Sequence, residues 1–262
     1  MKIVTNDNNN YSNNWRLINL NTYSGDMNMA LDESISEFVS KGFSKNTLRF
    51  YNWNPPCVSI GYFQEIESEV DLDYAKKKGI DVIRRLTGGG AVYHKSEITY
   101  SLIVSKDILS SDIKKSYEKI CSSLVKGLKN IGLNAKFKSI NDIIVNGKKI
   151  SGSAQTRLDN VIIQHGTLIL ENNIDEMFNV LKVPNEKIKD KMISNVKDRV
   201  TSLNSELGFN LGLDSVQKHL VKGFKEVFNV DFIKGKITNK ELNKAKKLKH
   251  NKYSTNDWIF KR

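Results

Sequence analysis

Asn141-Asp142-Ile143-Ile144-Val145-Asn146-Gly147-Lys148-Lys149-Ile150-Ser151-Gly152-Ser153-Ala154-Gln155 is the stretch that decides the fold. Asn146-Gly147 is a preferred pair for a two-residue type I′ turn, because both residues tolerate positive φ. Asp142–Val145 and Lys148–Ser153 are therefore expected to pair as a β-hairpin. Lys148 and Lys149 fall on opposite faces of the second strand. One can enter a site while the other stays in water. The small residues Ser151 to Ala154 leave room for a ligand, and Asp142 on the partner strand is a candidate ligand or magnesium contact. Taken alone, the stretch is better read as a charged hairpin tip.

Working outward, Trp15–Asn21, Thr47–Asn52, Cys57–Tyr62, Asp81–Arg85 and Val161–Leu170 read as strands. Ile98, Tyr100, Leu102 and Val104 alternate, which predicts a half-buried strand. Apolar residues at helical spacing predict a helix after Asp26, stopped by Gly42, and the clearest helix of the chain over Ile113–Ile131. Leu72–Lys78, Asp175–Leu181, Asp214–Phe228 and a basic Asn239–Lys249 complete the helices. Strands come in pairs among helices without a βαβ rhythm. The expected class is α+β, a mostly antiparallel mixed sheet flanked by helices.

A second stretch, Arg84-Arg85-Leu86-Thr87-Gly88-Gly89-Gly90-Ala91-Val92-Tyr93-His94, bears on chemistry. Three glycines in a row let a backbone approach a ligand and offer it N–H groups. Two preceding arginines supply fixed charge and bidentate donors for phosphate. No Walker A lysine follows, and the pattern is not the glycine fingerprint that opens a dinucleotide-binding helix. His165, inside Gln164-His165-Gly166-Thr167, has the position of a hydrogen-bonded mid-strand histidine, with no Ser or Cys patterned beside it as a triad.

Composition bounds the rest. The 262 residues carry a net charge of +12. From Lys234 to Arg262 there are ten Lys/Arg against two Asp/Glu, so +8 of the excess lies in that tail. It reads either as a solvated helix face or as a docking surface for an acidic partner. No apolar run has membrane-spanning length. The N-terminal MKIVTNDNNNYSNN has no signal-like core, so the expected compartment is the cytoplasm. Cys57 and Cys121 sit in apolar patterns and are expected to be buried. No Cys/His cluster has zinc spacing. A basic nucleic-acid-binding module would account for the tail but not for the glycine loop and lysine hairpin, so nucleic acid is not an expected partner.

These stretches, in this order, resemble the lipoate–protein ligase family of the biotin/lipoate transferase superfamily. Further matches are Leu48–Tyr51, Val58 to Gln64, His165 to Leu168, and Lys252-Tyr253-Ser254 with Asp257-Trp258. The resemblance implies a catalytic domain over 15–232, after a flexible arm 1–14 and before a basic helical extension 233–262. It implies two steps: lipoate is activated with ATP and Mg2+ to lipoyl-AMP, then passed to a carrier lysine. Lys149 would be catalytic. Arg85, Gly88, Gly89, Gly90, Ala91, Val92, Tyr93, Asn141, Asp142 and His165 would contact nucleotide or acyl group with it, and Asp142 the metal. The implied partners are lipoyl domains of 2-oxoacid dehydrogenase acyltransferases and the glycine cleavage H protein. The chain has no length for the family's accessory domain, so a separate small subunit is expected to supply it. A related octanoyltransferase, which moves octanoyl through a cysteine thioester without ATP, ranks second. Residues 122–262 contain no cysteine where that nucleophile would lie.

Overall fold

A computed structural model describes residues 13–183 and 186–262. The expected arm 1–14, save Asn13 and Asn14, lies outside the described residues. The chain begins with β1 (Asn14–Tyr23), α1 (Gly25–Ser40) and β2 (Thr47–Trp53). Then come β3 (Cys57–Ile60), the short helices α2 (Ile66–Glu69) and α3 (Leu72–Lys78), β4 (Asp81–Arg84) and β5 (Val92–His94). β6 (Glu97–Ser105), α4 (Ile113–Asn130), β7 (Ala135–Lys138), β8 (Asp142–Val145), β9 (Lys148–Leu158) and β10 (Val161–Ile169) form the middle. α5 (Ile174–Val180), α6 (Glu186–Arg199), α7 (Leu203–Leu207), α8 (Leu213–Phe228), β11 (Asp231–Lys234), α9 (Asn239–Leu248) and α10 (Asn256–Ile259) follow.

The strands make an eight-stranded sheet in the order β11-β1-β2-β6-β10-β9-β8-β7 and a three-stranded sheet β4-β3-β5. The class is α+β with a mixed, mostly antiparallel sheet, as expected. One detail differs. β1–α1–β2 and β3–α2–α3–β4 are both parallel crossovers, so βαβ units are present. A helix between two strands returns the chain to its starting side, which a hairpin cannot do. The hairpin itself forms as expected, with Asn146 at φ 50° and Gly147 at φ 81°. A bulge between Ile143 and Ile144 leaves Ile150 opposite no single partner residue.

β6 departs from the half-buried expectation: Glu97 through Val104 are all buried. Ile98, Tyr100, Leu102 and Val104 face the core shared with Ile120 and Leu124 of α4 and Leu220 and Phe224 of α8. Ile103 packs on the other face against Ile35 and Val39 of α1. Each such aliphatic side chain contributes about 1.5–3 kcal/mol by leaving water. α4 and α8 approach closely at Gly127 and Gly223. A Cβ on Gly223 would sit 2.1 Å from the Ser123 carbonyl oxygen. Ile113, the first residue of the helix expected over Ile113–Ile131, is exposed because it sits at the helix tip.

The C-terminal segment is fastened to the body. β11 pairs parallel to β1. Thr238 and Glu241 form a capping box at the start of α9. Glu241, fully buried, takes Arg16 at 2.6 and 2.9 Å. Lys244 pairs with Glu37, Lys249 with Asp26 and Lys252 with Glu33, at 2.8, 3.3 and 2.8 Å. Part of the tail's charge is thus spent on holding it down. No helix among the described residues is long and apolar enough to cross a membrane.

Candidate active site

A cavity of about 380 Å³ opens where the small sheet meets β6, β9 and β10 of the large one. Of the residues singled out in the sequence, Arg85, Gly89, Gly90, Ala91, Val92, Tyr93, Asn141, Lys149 and His165 line it. Gly88 and Asp142 do not line it. Phe63 packs beside Gly88, with an added Cβ there meeting its ring at 3.8 Å. Asp142 Oδ1 pairs with Lys149 Nζ at 2.7 Å. The hairpin register explains that pair: Asp142 lies opposite Gly152, whose missing side chain leaves space for the Lys149 stem. Asn141 Nδ2 donates to the Ser153 carbonyl at 2.6 Å, tying the hairpin's two strands at the cavity wall.

The arginines do not act as the expected pair of phosphate forks. Arg84 is fully buried and donates to the carbonyls of Gly61, Tyr62, Gln64, Trp258 and Ile259. Arg85 donates to the Ser59 carbonyl at 2.7 Å and to the Gly88 and Gly90 carbonyls at 2.8 and 2.7 Å. Burial lowers the Arg85 pKa to about 10, so it stays charged at neutral pH. It sets the glycine loop by gripping the carbonyls on that loop's inner side. Gly61 lets the loop close: a Cβ there would meet the Gly89 carbonyl oxygen at 2.0 Å.

Beside the cavity runs a buried polar chain. Arg49 Nη1 donates to Asp32 Oδ1 at 2.6 Å. Asp32 Oδ2 faces His165 Nδ1 at 3.6 Å, and His165 Nε2 shares a hydrogen bond with Thr87 Oγ1 at 2.7 Å. Burial pushes the His165 pKa down, against the pull of Asp32, which keeps the imidazole neutral. Above it, Met29, Tyr51, Trp53, Ile174, Met177 and Val200 give the cavity an apolar wall. Those wall residues were not singled out from sequence. Nor were Ser59, His94 and Glu97, which also line the cavity and are joined by hydrogen bonds.

No cysteine lines the cavity. Cys57 and Cys121 are free and buried, as expected. Cys121 lies behind Ser153, 4.0 Å from its Oγ, and burial pushes its thiol up to about 12. Among the described residues no three His, Cys, Asp or Glu side chains gather as a metal cluster.

This fold, with a glycine loop and a lysine hairpin facing each other across an apolar cavity, defines a class of acyl-group ligases and transferases. Residues 24–225 match the model of the lipoyl protein ligase A/B catalytic domain, and the chain belongs to that family. Octanoyltransferase LipM of Clostridioides difficile (strain 630) is 38% identical to it, with 95% of this chain and 100% of that protein covered. Among solved structures, the bi-partite lipoate protein ligase of Thermoplasma acidophilum is similar at 35% identity and TM-score 0.85, covering 94% of this chain and 96% of that one. Lipoate-protein ligase A bound with ATP is similar at 33% identity and TM-score 0.82, covering 94% and 98%. The curated relatives thus carry the name of the octanoyltransferase ranked second from sequence, and the ligase expected first is matched among the solved structures.

Proposed function

We propose that this enzyme attaches a lipoyl or other medium-chain acyl group to a carrier-domain lysine, activating the acyl carboxylate with ATP. The observation that carries this reading is Lys149: its ammonium stands on the cavity wall opposite the glycine loop, and no thiol shares the cavity. The apolar wall takes the acyl chain and leaves the carboxylate near Lys149. When that carboxylate attacks the α-phosphate of ATP, negative charge grows on the phosphoryl oxygens. A preplaced cation stabilises that charge without reorganisation. Asp142 holds Lys149 in position, and Asn141 braces the strand beside it. Magnesium binds through one or two carboxylates plus substrate phosphates, which fits Asp142 as its protein donor; it would neutralise charge on the departing pyrophosphate. In the second step a neutral carrier lysine attacks the mixed anhydride held against the loop, largely a matter of positioning.

Lipoyl domains of 2-oxoacid dehydrogenase acyltransferases and the glycine cleavage H protein are the proposed acceptors. The similar Thermoplasma system is described with an E2 lipoyl domain and as bi-partite. A separate small subunit is proposed to complete adenylation here, with the unpaired part of the basic tail near the acidic partner. A second reading is octanoyl transfer from an acyl thioester without ATP, favoured by the names of the curated relatives. One experiment separates them. The chain, with and without a candidate small subunit, is mixed with a lipoyl domain and given either octanoate or lipoate plus ATP, or S-octanoyl-pantetheine alone, and the mass of the domain is followed. Acylation that needs ATP supports the ligase. Acylation from the thioester, with none from the free acid and ATP, moves the assignment to the transferase.

A further inference from the structure

Nothing in the adenylation chemistry uses Ser59, His94 and Glu97, yet they are assembled in the same cavity. Ser59 lies on β3 and His94 on β5, and the antiparallel β3–β5 pairing brings them together. Ser59 Oγ is 2.7 Å from His94 Nε2. His94 Nδ1 hydrogen-bonds Glu97 Oε1. Thr99 Oγ1 donates to the same Glu97 oxygen at 3.0 Å, and Trp53 Nε1 donates to Thr99 Oγ1 at 2.8 Å. The Trp53 ring stacks on the imidazole with centroids 4.0 Å apart and planes 15° from parallel, which fixes its orientation.

The direction of each hydrogen bond follows from valence. A carboxylate at Glu97 only accepts, so His94 Nδ1–H donates to it. Nε2 then keeps its lone pair and accepts a hydrogen bond from the Ser59 hydroxyl. Arg85 Nη1 donates to Ser59 Oγ at 3.2 Å and would stabilise the oxygen as it loses that proton. Such an acid–base–nucleophile order is recognised by geometry and roles, whatever the fold.

We infer that Ser59, with His94 as its base and Glu97 orienting His94, accepts the acyl group of a medium-chain acyl thioester as an enzyme-bound ester. The inference rests on the reading that this cavity holds an acyl chain, and it supplies the acyl acceptor that thioester-based transfer needs where no cysteine is present. Ser59 Oγ attacks the thioester carbonyl carbon as its proton passes to His94 Nε2. The C–S bond breaks, and His94 returns the proton to the departing thiolate. In the second half a carrier lysine, entering as the neutral amine, attacks the ester carbonyl. The C–Oγ bond breaks, one amine proton passes through His94 to Ser59 Oγ, and an amide remains.

The test incubates the full chain with S-octanoyl-pantetheine without ATP, quenches in acid, and maps any acyl adduct by peptide mass spectrometry. The same preparation is given octanoyl-AMP and a lipoyl domain in parallel. The expected result is an octanoyl ester on Ser59, lost in Ser59→Ala. Ser59→Cys should give a thioester cleaved by neutral hydroxylamine. His94→Gln should slow acylation by about 10²–10⁴-fold. Wild-type protein carrying no adduct on Ser59, or carrying it on Lys149 or a cysteine, overturns the inference. Because that arm uses unmutated protein, a folding defect in a variant does not protect the proposal. If the octanoyl-AMP arm still acylates the domain, only the serine step falls; if neither arm does, the carrier-acylation reading falls with it.

Discussion

Gly61→Ala would test whether the position of the glycine loop sets the rate. The added methyl would lie 2.0 Å from the Gly89 carbonyl oxygen and 3.2 Å from the Gly88 carbonyl carbon. Ordinary van der Waals contact begins near 3.4 Å, so the loop must retreat by about 1.4 Å, the shortfall of 2.0 against 3.4 Å. The obstacle is backbone on both sides, and Arg85 grips the loop at Gly88 and Gly90, so no side chain can swing away. Overpacking of this kind costs about 1–3 kcal/mol of stability. The larger effect is expected in catalysis, since a misplacement of ~1 Å in a positioning site can cost about 10²-fold. Urea titration gives the stability change, and single-turnover transfer from preformed acyl-AMP gives the rate. A variant that transfers within threefold of wild type while carrying the stability loss would refute the claim that this loop positions the reacting group.

Lys149→Ala should lower acyl-AMP formation by about 10²–10³-fold with the fold intact; near-normal pyrophosphate release would remove Lys149 from the mechanism. Cys57→Ser and Cys121→Ser should each retain full transfer rates, with Cys57→Ser losing about 1–3 kcal/mol by burying a hydroxyl in an apolar core; an acyl thioester trapped on either cysteine would contradict this. At Glu241, burial raises the carboxyl pKa, but the Arg16 hydrogen bonds, the Thr238 N–H and Ser44 outweigh it, so the net value lies below 4.5. Its contribution is therefore present above the unfolded value and lost as pH falls through the folded one. Glu241→Gln should cost about 3–5 kcal/mol near pH 7 by leaving Arg16 unpaired, and denaturation curves should show that gap narrowing below pH 4.5. Neutralising Lys246 and Lys247, which are exposed, should slow transfer to an acidic lipoyl domain at low salt and leave it unchanged near 1 M salt. A salt-independent effect, or none at any salt, would make this surface mere solvated charge.

The hairpin and the glycine loop were legible because their cause is local. Asn146-Gly147 carries its turn type in two residues, and three consecutive glycines mark a loop. The helices α3, α4 and α8 were legible for a similar reason, each marked by apolar spacing or a glycine stop. What stayed hidden was assembled across the chain. Ser59 meets His94 only through the β3–β5 pairing, and nothing in Cys57-Val58-Ser59-Ile60 announces a functional hydroxyl. His94 and Glu97 did leave a faint signal, a His-x-x-Glu spacing across the turn after β5. Burial of β6 on both faces was illegible from its alternation, because Thr99 and Ser101 look solvent-facing, whereas Thr99 lines the cavity and Ile103 packs against α1. Val200, on the cavity wall just past α6, follows a mostly hydrophilic helix and carries no periodic signal of its own.

Arg84 and Arg85 show how the fold uses what sequence can only count. Consecutive residues at the end of β4 point to opposite sides. Arg84 turns outward from the cavity and binds the last carbonyls of α10, while Trp258 Nε1 returns a hydrogen bond to the Arg84 carbonyl at 2.9 Å. Arg85 turns inward and binds the glycine loop and Ser59. Among the described residues neither guanidinium is paired with a carboxylate: Arg84 is held by carbonyl dipoles and Arg85 by carbonyls and the Ser59 and Thr87 hydroxyls, a costly arrangement that persists where several acceptors converge. The two clamps share one strand end. The C-terminal turn and the cavity loop are therefore held by neighbouring residues, which ties the packing of the basic tail to the shape of the site across β4.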